Sequence, residues 1–169
     1  MASGGVEIGD FEEGDIDQIM VIERDAFASP WSEELFRREI GSSISRLIVA
    51  RLSRNQGRRV VGYAVYWSVA DEIHLHTLAV RRDRRREGIG SLLLGEIIHC
   101  SRSLGAKWIT LEVRQRNDAA RRLYAKFGFS VQGSRPGYYH DTGEDALILW
   151  ADLELGDAES ANKGEGRNG

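Results

Sequence analysis

A basic run followed by two glycines could bind an anion. Arginine occupies every position from 81 to 86 except Asp83, and Gly88 and Gly90 follow after Glu87. The run follows an apolar, strand-like stretch and precedes a segment whose apolar residues have helical spacing. The glycines would therefore stand at a helix start, where backbone N–H groups are unpaired and the helix dipole is positive. Because glycine has no side chain, a phosphate could approach this backbone closely, which predicts a site for a phosphate compound.

Other interpretations of this run can be compared with the anion site. Gly90-Ser91-Leu92 stands where a P-loop has Gly-Lys-Ser/Thr, and Leu93 stands where a dinucleotide fingerprint has its third glycine. Both of those phosphate loops are excluded. A solvated charged face beside a glycine-started helix stays open. Nucleic-acid binding is disfavoured, because aromatic residues do not interleave with the arginines and the chain carries a net charge of -3.

Polar and aromatic residues on neighbouring elements are further candidates. Glu112 alternates with apolar residues on a buried strand, where a carboxylate is costly unless it has a use or a partner, such as an arginine. Tyr124 lies on the apolar side of the next helix and could be a core aromatic. Asn117 could be only the cap of that helix. His74 and His76 share a strand, but no carboxylate or cysteine pattern supports a metal site there.

The hydrophobic pattern predicts the elements that must position these residues. Strands are predicted at 6–11, 45–52, 59–69, 72–80, 107–113, 130–139 and 145–153, and helices within 14–27, 32–40, 88–104 and 117–129. The second and third strands should pair as an antiparallel hairpin across a polar turn at 53–58. The order β-α-α-β-β-β-α-β-α-β-β predicts an α/β fold with a mixed sheet, not a doubly wound nucleotide fold.

Local signals predict where the helices begin and end. Asp15 and Ser32 are predicted N-caps, and Gly128 is the predicted glycine that ends the last helix. The third helix is predicted to carry one apolar face, which comprises Ile89, Leu92, Leu93, Ile97 and Leu104.

Size and composition restrict the class of protein. A chain of 169 residues with 41% hydrophobic and 29% charged residues is typical of one soluble globular domain. We predict that domain at 5–155, with small, polar, flexible tails at 1–4 and 156–169. The single Cys100 cannot form an internal disulfide, and no secretion signal or membrane-spanning run is found. These features predict a cytoplasmic protein that does not enter a membrane.

The stretch LAVRRDRRREGIGSLL, residues 78–93, resembles motif A of the GNAT acetyltransferases, with Arg85, Gly88 and Gly90 at its signature positions. The predicted element order is also similar to that family. The resemblance implies the GNAT fold, a mixed central sheet of about seven strands flanked by about four helices. It also implies acetyl-CoA as co-substrate and no metal. The implied acetyl-CoA-binding residues are Leu78, Ala79, Val80, Arg85, Arg86, Glu87, Gly88, Ile89, Gly90, Ser91 and Asn117.

Three further segments narrow the resemblance: PWS at 30–32, LEVR with LYAKFGF at 111–129, and YYHDTGEDALILW at 138–150. Together they resemble the branch of GNAT enzymes that acetylates the N-terminal alanine of a ribosomal protein. That branch implies Glu112 as general base and Tyr124 as general acid. The substrate-binding residues that it implies are Trp31, Tyr138 and Tyr139.

The activity implied is acetyl transfer to the N-terminal α-amine of a protein, with ribosomal small-subunit protein eighteen as the favoured substrate. Two features depart from the family: the loop is unusually basic, and His74 and His76 occupy strand positions that are more often apolar or small. Three alternatives stay open: a broader N-terminal acetyltransferase, a lysine or small-amine acetyltransferase, and a non-catalytic CoA- or RNA-binding module. The expected partner is a protein N-terminus, and no oligomeric state is predicted.

Overall fold

The computed structural model describes residues 5–53 and 57–154. The predicted tails, and the middle of the predicted turn at 53–58, lie outside the described residues. The strands are β1 (Val6–Asp10), β2 (Ser45–Leu52), β3 (Val60–Val69), β4 (Glu72–Val80), β5 (Trp108–Arg114), β6 (Ser130–Tyr139) and β7 (Glu144–Asp152). The helices are α1 (Ile16–Ala26), α2 (Glu33–Ile40), α3 (Ile89–Ser103) and α4 (Asp118–Lys126). The predicted order of elements is confirmed, as is the prediction of a mixed seven-stranded sheet with four helices.

The chain divides into two compact units. The first comprises the described residues up to Ser68 together with Leu75–Ile97. The second comprises Val69–His74 and the described residues from Ile98 onward. Strand order in the first unit is β1-β2-β3-β4, and in the second it is β4-β5-β7-β6. Among the described residues, no helix has the length and apolar character needed to cross a bilayer.

The core of the first unit is built on β2 and β3, which form the predicted antiparallel hairpin. Their pairing runs from Ser45 opposite Trp67 and contains a bulge at Ala50 and Arg51. The apolar residues of α1 cover this hairpin, because their spacing places them on one face of the helix. The buried cluster comprises Ile16, Ile19, Met20, Ile22, Phe36, Leu47, Val49, Val60, Tyr63, Val65 and Ala79.

The start of α1 differs from the prediction. Asp15 stands at the N-cap position, but its side chain accepts no hydrogen bond from the first turn of the helix. It accepts instead from the Glu12 backbone N–H at 2.7 Å and from both Nε and Nη2 of the buried Arg51. A buried guanidinium needs a carboxylate partner, and this need outweighs capping. The predicted Asp15 cap is therefore wrong.

The other predicted helix ends are confirmed. Ser32 Oγ accepts from the Leu35 N–H at 3.2 Å, and Asn117 Oδ1 accepts from the Ala120 N–H at 3.1 Å. Gly128 follows α4 with φ of +85°, a backbone conformation that favours glycine.

The buried face of helix α3 differs from the predicted apolar face. Leu92 is 37% exposed, and Leu104 lies beyond the helix end with 56% exposed. The buried positions follow an i, i+4, i+5 pattern and comprise Ile89, Leu93, Leu94, Ile97 and Ile98. The prediction was wrong at Leu92 and Leu104. A run of three leucines at 92–94 fits more than one helical face, so spacing alone did not fix the buried one.

Candidate active site

The basic run forms a short connection between β4 and α3 in the first unit. Arg81 N–H donates to the Val61 carbonyl of the neighbouring strand at 2.7 Å, which fixes the start of the loop. Residues 82–84 then form one turn of 3-10 helix. The backbone φ is +65° at Arg86 and +81° at Gly88, so the chain turns sharply into α3. Leu92 N–H donates to the Gly88 carbonyl at 3.0 Å, and this bond closes the first turn of the helix.

This geometry fits an anion such as a phosphate. The N–H groups of Ile89, Gly90 and Ser91 belong to the first turn, which has no helical acceptors for them. A Cβ added at Gly88 would meet no heavy atom of the described residues within 4 Å. A ligand could therefore approach these N–H groups over the backbone of Gly88. The preceding strand end holds Ala79 buried, with Leu78 and Val80 half-buried on either side.

Gly62 on β3 allows α3 to begin close to the sheet. A Cβ at this position would lie 3.0 Å from the Ala79 carbonyl oxygen, 3.1 Å from Leu93 Cδ1 and 3.3 Å from Ile89 Cγ2. Because these distances are shorter than ordinary van der Waals contact, any larger residue would displace the helix start. Sequence reasoning missed Gly62, since a glycine inside a strand does not reveal what packs against it.

Most of the loop arginines are already paired. Three of them face carboxylates of the same unit: Arg81 pairs with Asp83 at 2.7 Å, Arg84 with Glu87 at 3.1 Å and Arg82 with Asp25 at 3.9 Å. Arg85 Nε donates to the Val80 carbonyl at 3.2 Å, and Arg86 is exposed. The loop is therefore less positive than its arginine content suggests. Its backbone is the better-defined anion-binding element.

Trp31 lies in the connection between α1 and α2, held by a buried carboxylate. Its backbone N–H donates to Glu23 Oε1 at 2.9 Å, and the Tyr63 hydroxyl donates to Glu23 Oε2. The indole ring packs at 5.2 Å from the Phe36 ring and 6.4 Å from the His76 ring. Burial raises the pKa of Glu23 to about 7, although the hydrogen bond from Trp31 partly opposes this shift. Sequence reasoning missed Glu23.

In the second unit, Glu112 projects from β5 with its side chain 17% exposed. Its Oε2 lies 2.8 Å from Nε2 of His74, the third residue of β4. Its Oε1 lies 3.7 Å from Nε of Arg135 on β6. The carboxylate thus has a basic partner on each side, which satisfies the physical requirement for placing it on this strand. The predicted arginine partner exists, but the closer partner is the histidine.

Tyr124 is buried in α4, with 8% exposed, and its ring lies 5.5 Å from the Phe129 ring. Burial raises the pKa of its phenol above the ordinary value, and the nearby Tyr139 adds to this shift. The hydroxyl therefore stays protonated across the working pH range. Asn117 begins the same helix as its cap.

The β6–β7 hairpin carries the two predicted tyrosines. Arg135 pairs with Ala146, whereas Tyr139 pairs with Glu144, so β6 holds two extra residues in this interval. Gly137 lies in this bulge with φ of +60°, and its N–H donates to Asp145 Oδ1 at 2.8 Å. Such a bulge bends a strand and redirects its side chains.

The rings of Tyr138 and Tyr139, at the end of this bulged interval, are perpendicular with their centres 5.2 Å apart, and Tyr138 is 45% exposed. The guanidinium carbon of Arg114 lies 4.0 Å from the centre of the Tyr139 ring, a cation–π contact. The same guanidinium donates to both carboxylate oxygens of Asp141, at 2.8 and 3.1 Å. Burial raises the pKa of Tyr139 to about 12, and Arg114 partly opposes the shift.

Within residues 5–53 and 57–154, no three His, Cys, Asp or Glu side chains are grouped so that they could hold a metal ion. The first unit contains Trp31, the strand end and the glycine loop. The second contains Glu112, Asn117, Tyr124 and the tyrosine pair. In the second unit Tyr139 interacts electrostatically with both Glu112 and Tyr124.

Comparison with known proteins identifies the family of this chain. The family model described as Acetyltransferase (GNAT) family matches residues 16–129. The [ribosomal protein bS18]-alanine N-acetyltransferase of Escherichia coli (strain K12) is 35% identical over 144 residues, which cover 84% of this chain and 94% of that protein. The Haemophilus influenzae protein of the same name is 33% identical over 145 residues, 84% of this chain and 95% of that protein.

A solved structure extends the comparison to the fold. The crystal structure of the ribosomal-protein-S18-alanine N-acetyltransferase from Escherichia coli superposes with a TM-score of 0.79 and 31% sequence identity. The match covers 88% of this chain and 94% of that one.

Proposed function

This chain belongs to the GNAT acetyltransferase family, and we propose that it transfers the acetyl group of acetyl-CoA to the N-terminal α-amine of a protein. The favoured acceptor is the N-terminal alanine of ribosomal protein bS18. The observation that carries this proposal is the 35% identity to the E. coli bS18-alanine N-acetyltransferase over nearly its whole length. A cytoplasmic location is part of the same proposal.

Acetyl-CoA supplies the acetyl group as a thioester, and the glycine loop fits its pyrophosphate. The N–H groups of Ile89, Gly90 and Ser91 would donate to the phosphate oxygens. Arg85 and Arg86 would add charge-assisted hydrogen bonds. The remaining residues assigned to acetyl-CoA are Leu78, Ala79, Val80, Glu87, Gly88 and Asn117.

Glu112 would accept the proton that the acceptor amine must lose before it can attack. An N-terminal amine has an ordinary pKa of about 7.7 to 8.0, whereas that of a lysine side chain is about 10.4. A much larger fraction of an α-amine is neutral near pH 7, so a carboxylate acting through one water suffices for this acceptor. A lysine would need stronger deprotonation.

Tyr124 would stabilise the departing thiolate. Its buried phenol holds its proton more tightly than free tyrosine does. An ordinary thiol has a pKa of about 8.5, so complete proton transfer from this phenol to sulfur is uphill. Tyr124 would therefore act mainly by donating a hydrogen bond from Oη as negative charge develops on sulfur.

Trp31, Tyr138 and Tyr139 would bind the acceptor peptide. Aromatic side chains offer large, rigid contact surfaces to a peptide backbone. We expect a small first side chain on the acceptor, because the similar proteins are named for acetylating an alanine.

The experiment that tests this function compares three peptides of otherwise identical sequence. The first begins with a free alanine and the second with a free serine; the third has a blocked N-terminus and one internal lysine. We expect acetylation of the first two and little of the third, measured as kcat/KM with acetyl-CoA saturating. Equal rates on the blocked lysine peptide would replace this proposal with a lysine or small-amine acetyltransferase. Tight acetyl-CoA binding without transfer to any peptide would indicate a CoA-binding module.

A further inference from the structure

The hydrogen bond between His74 and Glu112 joins two strands at the proposed general base. His74 is the third residue of β4 and Glu112 the fifth of β5, 38 positions later. Nε2 of the imidazole lies 2.8 Å from Oε2 of the carboxylate, within ordinary hydrogen-bond distance. The side chains of His74 and Glu112 are 32% and 17% exposed, so the pair is partly shielded from water.

The chemistry of the pair fixes the direction of the hydrogen bond. An ionised carboxylate only accepts hydrogen bonds, so Nε2 of His74 must carry the proton and donate it. The bond occupies Oε2 and leaves Oε1 directed toward Arg135, whose side chain is 54% exposed. The two oxygens of the carboxylate therefore have different surroundings, with the His74 imidazole at Oε2 and the Arg135 guanidinium 3.7 Å from Oε1.

We infer that His74 is a positioning residue for the general base. The terminal torsion of a glutamate is soft, and without an anchor its carboxylate samples many orientations. The Nε2–H of His74 holds Oε2 and presents Oε1 as the proton acceptor. This inference rests on the proposed function, because it assigns His74 to the reaction only through Glu112.

The test uses two substitutions of His74 that differ in where they place a donor. The amide nitrogen of His74→Gln can occupy the position of Nε2 and still donate to Glu112. The shorter side chain of His74→Asn places its amide near the position of Nδ1, too far from Glu112 to donate a hydrogen bond to it. His99→Leu, which alters an exposed histidine of α3, is the control. Each protein is assayed for kcat and for both KM values with acetyl-CoA and the alanine-starting peptide, and its melting temperature is recorded.

We expect His74→Asn to lower kcat by about 10-fold with both KM values nearly unchanged, and His74→Gln to keep kcat close to wild type. His99→Leu should match the wild type. Combined with Glu112→Gln, His74→Asn should cause no further loss, because the base that it positions is gone. If His74→Asn does not fold, His74→Leu, which also lacks a donor at the position of Nε2, is compared with His74→Gln instead.

Equal kcat for the asparagine and glutamine variants, whether high or low, would overturn the inference, as would an additive loss in the double variant. Failure of the proposed base is a separate result. Wild-type turnover of Glu112→Gln would remove Glu112 from the mechanism, and His74 with it. A slow Glu112→Gln beside a fast His74→Asn would overturn only the role of His74.

Discussion

The glycine loop and the tyrosine hairpin are built by different physical means. The loop between β4 and α3 consists of consecutive residues, and its features are backbone ones: positive φ at Arg86 and Gly88 and the N–H groups of a helix start. The hairpin at β6–β7 depends on side chains that meet from distant positions. Arg114 reaches Asp141 across 27 residues and packs beneath Tyr139.

The difference predicts how each region responds to substitution. A site made of backbone groups tolerates the loss of individual side chains but not the loss of its glycine conformation. A site made of side chains tolerates neither truncation of its aromatic residues nor loss of the ion pair that orients them. Changes in the loop should therefore affect the binding of acetyl-CoA, and changes in the tyrosine hairpin should affect the binding of the acceptor.

The largest effect is expected at the proposed general base, Glu112, and at the proposed thiolate-stabilising residue, Tyr124, both in the second unit. Glu112→Gln and Tyr124→Phe should each lower kcat by roughly 10- to 10⁴-fold, because each removes a proton-transfer or charge-stabilising group. Acetyl-CoA affinity, measured by isothermal titration, should be nearly unchanged. The fall in rate at low pH should disappear in Glu112→Gln. Turnover equal to wild type in either variant would exclude that residue from the chemistry.

The next effect tests the backbone character of the loop. Gly88→Val should weaken acetyl-CoA binding by more than about tenfold, since a branched side chain is strained at φ of +81° and covers the approach to the helix start. Gly105→Val is the matched control: Gly105 has φ of +78° and open space around its Cα, but it lies after α3. Equal losses in both variants would attribute the effect to strain alone, and an unchanged affinity in folded Gly88→Val would mean the site is misplaced.

A smaller effect is expected from the ion pair of the hairpin. Arg114→Met should raise the KM for the alanine-starting peptide by about 3- to 10-fold and leave the KM for acetyl-CoA unchanged, because Tyr139 loses its cation–π contact and Asp141 its partner. Direct truncation by Tyr138→Ala or Tyr139→Ala should change the same constant. Arg122→Met, at an exposed arginine of α4, serves as control. A parallel rise in both KM values would show that the two regions are not functionally separate.

The smallest effect concerns the Trp31 connection, where a side chain holds a backbone group. Burial places the folded-state pKa of Glu23 at about 7, above its ordinary value of 4.5. The folded protein therefore binds this proton more tightly than the unfolded chain. The associated stability is full below pH 4.5 and is lost as the pH rises to 7.

The melting temperature should consequently fall between about pH 5 and 8. In Glu23→Gln the total fall over this range should be smaller by about 5 °C. Differential scanning calorimetry at several pH values measures both proteins. An identical slope in the two would mean that Glu23 does not titrate in this range. Glu33→Gln, at an exposed carboxylate of α2, is the control for a change of charge without burial.

Local patterns predicted the elements well, because each depends on few neighbouring residues. The caps at Ser32 and Asn117 and the glycine loop were recognisable within a few positions of sequence. Glu23 could also have been found. It lies seven residues after Ile16 and four after Ile19, so it falls on the apolar stripe of α1, where a charge signals a buried partner.

The remaining features could not be read from sequence, since they depend on contacts between distant segments. The partner of Asp15 is Arg51, 36 residues away, and nothing near Asp15 distinguishes it from a cap. Glu112 is paired with His74 on β4, 38 residues away. The hairpin bulge depends on a register between β6 and β7 that periodicity does not specify.

The pinning of the glycine loop at both ends has a consequence for the kinetics of ligand capture. Arg81 is tied to β3 at one end, and at the other Ile89 is buried in the narrow space that Gly62 leaves. The conformational entropy of ordering this segment is therefore lost when the chain folds, not when a ligand arrives. If the loop binds a phosphate as proposed, its amides are already aligned, and we expect diffusion and charge to set the association rate without a slow closing step.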